Sequence, residues 1–276
     1  MDNIEDVINA NVKLHTAAAD KYREEPHYRP ESRARIREII QAIQRETKGK
    51  ALLDVGCGMG FIIDIAREFF EVIRGVDVTP AMLERVNTSD ERCNIKVEIA
   101  RVECLPFENN TFDVCTAHAL LHHLKDIRPA LKEIRRVLRP GGIFYSDLDP
   151  NGYFREAIKS LGTAGTFDKA ILREINAAKN KDQEIADLFN LDVDTVQKAE
   201  HWMHVEDGFK EEDLRAVLDE MQFSQFEVKY QWFLGEAGII HGEQTMSHAD
   251  VLRTYLHDMF PLTRHLFKYL SIIARK

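Results

Sequence analysis

The sequence predicts an α/β fold, an open and largely parallel sheet with helices on both faces, and three observations carry that prediction. Residues 51–60, ALLDVGCGMG, read as a buried strand running into a glycine-rich turn that a helix follows. Apolar or alternating runs recur down the chain between segments of helical periodicity, the succession that builds parallel sheets. A second strand, Val72, Ile73, Gly75 and Val76, ends in Asp77, an acid 23 residues beyond Asp54 in the first.

In chain order, residues 1–30 hold a weakly amphipathic pattern, Val12, Leu14, Ala17 to Ala19 and Tyr22, that Pro26 and Pro30 stop. Ser32 to Glu46 is a stronger helix, its Ile36, Ile39, Ile40 and Ile43 forming a stripe to cover one face of the sheet. Ala51, Leu52, Leu53 and Val55 make the first strand. Gly56, Gly58 and Gly60 remove Cβ atoms where the backbone turns and a ligand can lie close. Phe61, Ile62, Ile63, Ile65 and Ala66 start a helix whose first N–H groups point back at that turn. Thr79-Pro80 opens a helix through Asn87, with proline where its missing N–H costs nothing. Residues 95–99 alternate as a third strand, and Thr111 to Ala117 is a fourth that delivers His118 to its C-terminal edge. A helix from Asp126 to Leu138 buries Ile127, Ala130, Leu131 and Ile134 and is closed by RPGG. Ile143 to Leu148 is strand five, after which Asp147, Asp149 and Asn151 stand at the edge where open α/β sheets bind ligands.

Residues 150–207 exceed a minimal fold. Their helical patterns, Asp168 to Ala178, Asp182 to Phe189 and Asp194 to His204, predict a helical insertion or lid. QEIADLFNLDVDTVQKA has the cadence of a DNA-reading helix pair, but Asp192 and Asp194 open its second helix and would repel phosphate, which disfavours DNA. Glu211 to Met221 is a helix and Phe226 to Phe233 strand six; residues 235–265 form a second insertion, with HADVLRTYLHDMF broken before Pro261; Tyr269 to Ala274 is a last strand. The expected organisation is a cap at 1–30, a ligand-binding domain at 31–149 and 208–276, and insertions at 150–207 and 235–265.

The glycine pattern is D-x-G-x-G-x-G, whereas a dinucleotide site wants G-x-G-x-x-G. A carboxylate at Asp54 repels phosphate and suits a ligand bearing a cationic group. Asp77 fits an acid that accepts hydrogen bonds from ribose hydroxyls. LDVGCGMG, GVDVTPAML, ECLPFENNTFDV, HALLHHL and VLRPGG stand in an order and spacing that resembles class I S-adenosylmethionine-dependent methyltransferases, in particular the branch of the ubiquinone and menaquinone C-methyltransferases. The resemblance covers residues 35–149 and, more loosely, 208–234.

What the resemblance implies is specific. The fold would be a Rossmann-like, seven-stranded mixed sheet, its last strand antiparallel between strands five and six. The cofactor would be S-adenosyl-L-methionine, leaving S-adenosyl-L-homocysteine as product. Its site would comprise Asp54, Gly56, Cys57, Gly58, Gly60, Asp77, Val78, Met82, Val102, Glu103, Ala117 and His118, with Tyr22 and Tyr28 closing over it. The family loop beside the adenine carries Asp where this chain has Arg101 and a small residue where it has Val102. Arginine cannot accept from the adenine amino group, which leaves the Val102 backbone N–H and Glu103 for the ring.

Composition narrows the class. The chain of 276 residues has a net charge of −9, against a general nucleic-acid surface. Cys57, Cys93, Cys104 and Cys115 form no C-x-x-C pair, MDNIEDV is no secretory leader, and no apolar run approaches 18 residues, so a cytoplasmic protein without a membrane span is expected.

Methyl transfer is an in-line displacement that needs positioning and exclusion of water more than acid–base machinery. Where a base helps, His118 is the first candidate and His122 the second, with Tyr22 at the pocket's closure, while His123 is expected to pack against the sheet. His201, His204, His241 and His248 lack a ligand motif, and no metal is expected. Trp202, Met203, Phe209, Trp232, Phe233, Met246, Tyr255 and Phe260 could line an apolar pocket for a small acceptor or serve core packing. A tRNA or protein acceptor, a non-catalytic cofactor-binding module, and a homodimer built through an insertion stay open as alternatives.

Overall fold

The computed structural model describes residues 3–161, 167, 169–204, 206–241 and 246–276, apart from the side chains of Ala170, His204 and Met246. Helix α1 (Ile4–Ala18) opens with a capping box, in which Asn3 and Asp6 bond each other's backbone N–H. After two short 3₁₀ turns come α2 (Pro30–Thr47), β1 (Ala51–Val55), α3 (Phe61–Ala66), β2 (Val72–Asp77), α4 (Pro80–Leu83), β3 (Asn94–Ile99) and β4 (Phe112–His118). A 3₁₀ turn at Leu121–His123 leads to α5 (Ile127–Val137) and β5 (Leu138–Pro150). Residues 150–207, the segment expected to be an insertion, hold α6 (Gly152–Ser160), α7 (Lys169–Phe189), α8 (Val193–Ala199) and α9 (His201–His204). The chain continues as α10 (Glu211–Glu220), β6 (Ser224–Phe233), α11 (Glu236–Ile240), α12 (Met246–Asp258) and β7 (Phe267–Arg275).

The seven strands lie in the order β3-β2-β1-β4-β5-β7-β6. β1 to β5 are mutually parallel, and β7 runs antiparallel between β5 and β6. The mixed sheet with helices on both faces is therefore the expected one. One face is sealed by the α2 isoleucines with Phe61, Ile62 and Ile65, the other by Ile127, Leu131 and Ile134 of α5 with Leu214 and Leu218 of α10. The order of strands reverses between β1 and β4, and a crevice opens beyond their C-terminal ends.

Several boundaries differ from the sequence reading. Helix α7 is one rod of 21 residues rather than two helices, because Lys179, Asn180 and Lys181 include no breaker. The helix expected at Asp194 to His204 divides at Glu200, whose ψ of 48° ends α8. α4 stops at Leu83, since Met82 alone on it is buried and no apolar stripe extends it. β5 starts five residues early, with Leu138 paired to Phe112. Helix α6 was legible in no apolar period; Asn151 caps it by accepting the Tyr153 N–H at 3.1 Å. Among the described residues no helix is long and apolar enough to cross a membrane.

The insertion joins the start of the chain. Ala10 and Leu14 of α1 pack on Ala186 of α7 and on Val196 and Ala199 of α8, forming one roof above the crevice. Asn11 ties it down, donating to the carbonyls of Val7 and His123. The exit of the insertion is stitched to β5: Gly152 donates its N–H to Phe209 O, and Phe209 to Pro150 O, each at 2.8 Å.

Candidate functional site

Two adjoining cavities occupy the crevice. The larger encloses about 760 Å³, partly open to solvent, between α1 and the ends of β1, β2 and β4. Gly56, Gly58, Asp77, Val78, Val102, Glu103 and His118 line it from below, and Ile4, Val7, Asn11 and His15 from α1. The smaller, about 290 Å³, is bounded by Asp54, Gly56, Cys57, Gly58 and Phe61 and by Tyr22, His27, Tyr28 and His118. Tyr22, Gly56, Gly58 and His118 border both, so one elongated ligand could thread from one to the other.

The glycine turn has the backbone its sequence demands. Gly56 and Gly58 stand at φ 65° and 50°, in the left-handed region. A Cβ on Gly58 would point at open space, 4.0 Å from Tyr22 Cε1, which leaves the turn's surface bare for a ligand. Asp77 holds this turn: its Oδ2 accepts the Gly58 N–H at 2.9 Å and its Oδ1 the Thr79 N–H at 2.8 Å. A carboxylate has about four acceptor positions, so two remain for hydroxyls in the cavity. Gly60 and Met82 stand behind the turn, Gly60 as the N-cap of α3 and Met82 packed with Ala19 and Met59, while Ala117 is wholly buried within β4.

Asp54 is buried beneath the smaller cavity. Thr116 Oγ1 donates to its Oδ1 at 2.7 Å, and burial pushes its carboxyl up to about 7 despite that bond. Around it the imidazoles are neutral: burial lowers His27 to about 3 and His118 to about 4. The Tyr22 and Tyr28 hydroxyls are raised, chiefly by burial, and Cys57 likewise stays a thiol. Tyr28 and His118 both meet Phe61 at ring-centroid distances of 5.1 and 5.0 Å, and Tyr22 closes on His27 at 5.5 Å. A buried carboxylate under neutral aromatic faces favours a cation, as ammonium or sulfonium.

Other candidates are placed differently. His122 opens onto neither cavity; its Nδ1 lies 3.1 Å from Asp149 Oδ1 inside the protein. His123, expected against the sheet, instead lines the larger cavity, because its Nδ1 is drawn to the Ala199 carbonyl of the roof at 2.7 Å. Asp147 and Asp149 do not reach the ligand edge. Asp147 is paired with Arg35 and Tyr145, and Asp149 with His122 and Ser146, each acid buried and satisfied by its partners. Arg101 turns away to Glu5 of α1 at 2.7 Å, so it leaves the cavity wall to Val102 and Glu103.

The aromatic residues of the insertions do not line either cavity. Trp202 stacks on Phe209 at 4.3 Å, Trp232 lies under Arg35, Phe233 and Phe260 pack round Phe267, and Tyr255 is exposed. Trp202, Phe209, Phe233 and Phe260 instead join the main core on the α5 and α10 face of the sheet. The side chains of His204 and Met246 lie outside the described set, and His241 pairs with Glu31 at 2.9 Å. Sequence reasoning missed the lining residues Ile4, Val7, Asn11 and His15; the signal was the N-terminal capping box followed by their spacing of three and four.

Comparison with known proteins agrees with this geometry. Residues 53–146 match the family described as methyltransferase domain. The chain is 29% identical over 120 residues to the ubiquinone biosynthesis O-methyltransferase of Coxiella burnetii, covering 42% of this chain and 50% of that protein. It is 36% identical over 113 residues to the sterol 4-C-methyltransferase strm-1 of Caenorhabditis elegans, covering 38% and 33%. The chain thus spans half the length of the first relative and a third of the second. In structure it resembles an S-adenosylmethionine-dependent methyltransferase from Mesorhizobium loti, with a TM-score of 0.54, 18% identity, and coverage of 87% of this chain and 96% of that one.

Proposed function

We propose that this chain, whose residues 53–146 match the family described as methyltransferase domain, transfers a methyl group from S-adenosylmethionine to a small, partly apolar acceptor. The observation that carries the reading is the meeting of Asp54, the glycine turn with its open face at Gly58, and Asp77 along two joined cavities. S-adenosylmethionine, when bound, supplies an electrophilic methyl group on a sulfonium. The donor set fits it: Asp77 has acceptor positions for the ribose, Val102 N–H and Glu103 border the adenine end, and Asp54 with Tyr22, Tyr28 and Phe61 suits the cationic end. Ile4, Val7 and Leu120 give the larger cavity an apolar share, and α1 shields it from bulk water. A net charge of −9 disfavours a tRNA acceptor.

His118, bordering both cavities, is the residue that meets the acceptor. A neutral imidazole with a conjugate acid near 4 is a weak base at pH 7, so it orients the acceptor by hydrogen bonding more than it removes a proton. His118→Ala is expected to lower kcat/KM about tenfold, short of the 10² or more that loss of a general base brings, and the profile of the native enzyme shows no inflection from His118 between pH 6 and 8. A drop beyond a thousandfold would restore the base.

The function itself is tested by isothermal titration of S-adenosylhomocysteine into the full chain, with NAD as control, followed by acceptor screening with labelled methyl donor. Micromolar binding of the first alone is expected; NAD binding instead would overturn the reading.

Asp54 gives that titration a pH dependence with a definite sign. In the free protein its carboxyl is protonated below about 7 and charged above it. A ligand ammonium prefers the charged form, so binding tightens as pH rises. From pH 6 to 8 the gain is about tenfold, the change in the deprotonated fraction. Asp54→Asn should flatten the dependence; an unchanged slope in that variant would assign it elsewhere.

A further inference from the structure

Where the roof meets the sheet, His122, His123 and Glu200 each bring one ligating atom within 4.8 Å of the other two. His122 and Glu200 are buried, and His123 borders the larger cavity. The orientation of the rings is fixed from behind. His122 offers Nδ1–H to the Asp149 carboxylate at 3.1 Å, and His123 offers Nδ1–H to the Ala199 carbonyl at 2.7 Å. With Nδ1 occupied in both rings, Nε2 is the nitrogen left to a ligand, the arrangement that metal-binding histidines show. His122 Nε2 is already 3.8 Å from Glu200 Oε2.

We propose that His122, His123 and Glu200 form a binding site for one divalent transition-metal ion of the zinc type, with an open position toward the larger cavity. Two imidazole nitrogens and one carboxylate oxygen, backed by a second carboxylate and a carbonyl, are the ligand set of an open zinc site. Tetrahedral bonds of about 2.1 Å put donor atoms about 3.4 Å apart, so the three groups contract by about 1 Å around the ion. The ring of His15, 4.9 Å from His123, stands on the cavity side.

Without an ion, charge is balanced by Lys181, whose Nζ lies 3.8 Å from Glu200 Oε2. Its side chain is 41% exposed, so it can withdraw toward solvent when a dication enters. Lysine and metal are therefore competitors for Glu200. The ion would clamp the β4–α5 connection, carrying His122 and His123, to the roof at Glu200.

The test is titration of Zn²⁺ into the untagged, chelator-stripped full chain, with Co²⁺ absorption as a spectroscopic readout. One equivalent binding at sub-micromolar concentration is expected, with Glu200→Gln and His122→Ala each weakening it at least tenfold. Lys181→Met should act in the opposite sense, tightening binding several-fold while retaining the fold by circular dichroism. Less than one equivalent bound at about 10 µM Zn²⁺ in the folded, chelator-stripped chain overturns the proposal. So does binding that survives Glu200→Gln and His122→Ala, or binding that Lys181→Met leaves unchanged. S-adenosylhomocysteine affinity, measured alongside, reports on the cofactor reading separately.

Discussion

Replacing Asp77 by alanine is expected to lower the affinity for S-adenosylhomocysteine about a hundredfold, the loss of roughly one to two charge-assisted hydrogen bonds. Two effects combine. Under the proposed function the ribose loses its acceptor, and the glycine turn loses the carboxylate that accepts the N–H groups of Gly58 and Thr79. Asp77→Asn separates them: an amide oxygen keeps one of the two backbone bonds and one hydroxyl contact, so about a tenfold loss is expected. Isothermal titration gives the affinities, and hydrogen exchange at the Gly58 amide reports the turn. An alanine variant that binds within threefold of the native chain would sink the assignment of Asp77 to the ligand.

The largest effect on stability is expected at Gly208, which lines neither cavity. Its φ is 87°, and a Cβ there would stand 2.8 Å from Gly152 N and 2.9 Å from Pro150 O. Both neighbours are backbone, held in place by the pairing of Phe209 with Pro150 and Gly152, so neither can yield. Gly208→Ala should cost about 3 kcal/mol, left-handed strain plus overpacking, and lower Tm by roughly 6 to 12 °C. Gly141 is the control, with φ 79° and nothing within 4 Å of its Cβ. Gly141→Ala should cost only the strain, about 1 to 2 kcal/mol. Equal losses by calorimetry would show that the crowding at Gly208 is relieved elsewhere.

How much of this was legible in the sequence depends on the range of the interaction. Local chemistry was readable: the three glycines, the acids ending β1 and β2, the stripe of α5 with Ile127, Ala130, Leu131 and Ile134 buried, and His118 at the strand edge. Partnerships across the chain were not. Asp147 looked like a ligand-edge acid because its neutralising partner, Arg35, is 112 residues away. His123 looked like a packing residue because the carbonyl that turns its ring belongs to Ala199. Trp202, Phe209, Phe233 and Phe260 left pocket and core both open, because apolar side chains carry the same signal whether they line a space or fill one.

The floor and the roof of the crevice come from different parts of the chain. The floor is the sheet edge of residues 54–118, and the roof is α1 laid on α7 and α8. Under the proposed function, the floor answers to an unvarying cofactor and is constrained at nearly every position. The roof borders the same cavity as Asp77 and Val102 and is held to the floor through Asn11 and Arg101. Substitutions in α1 thus reshape the larger cavity from above without altering the glycine turn, Asp54 or Asp77.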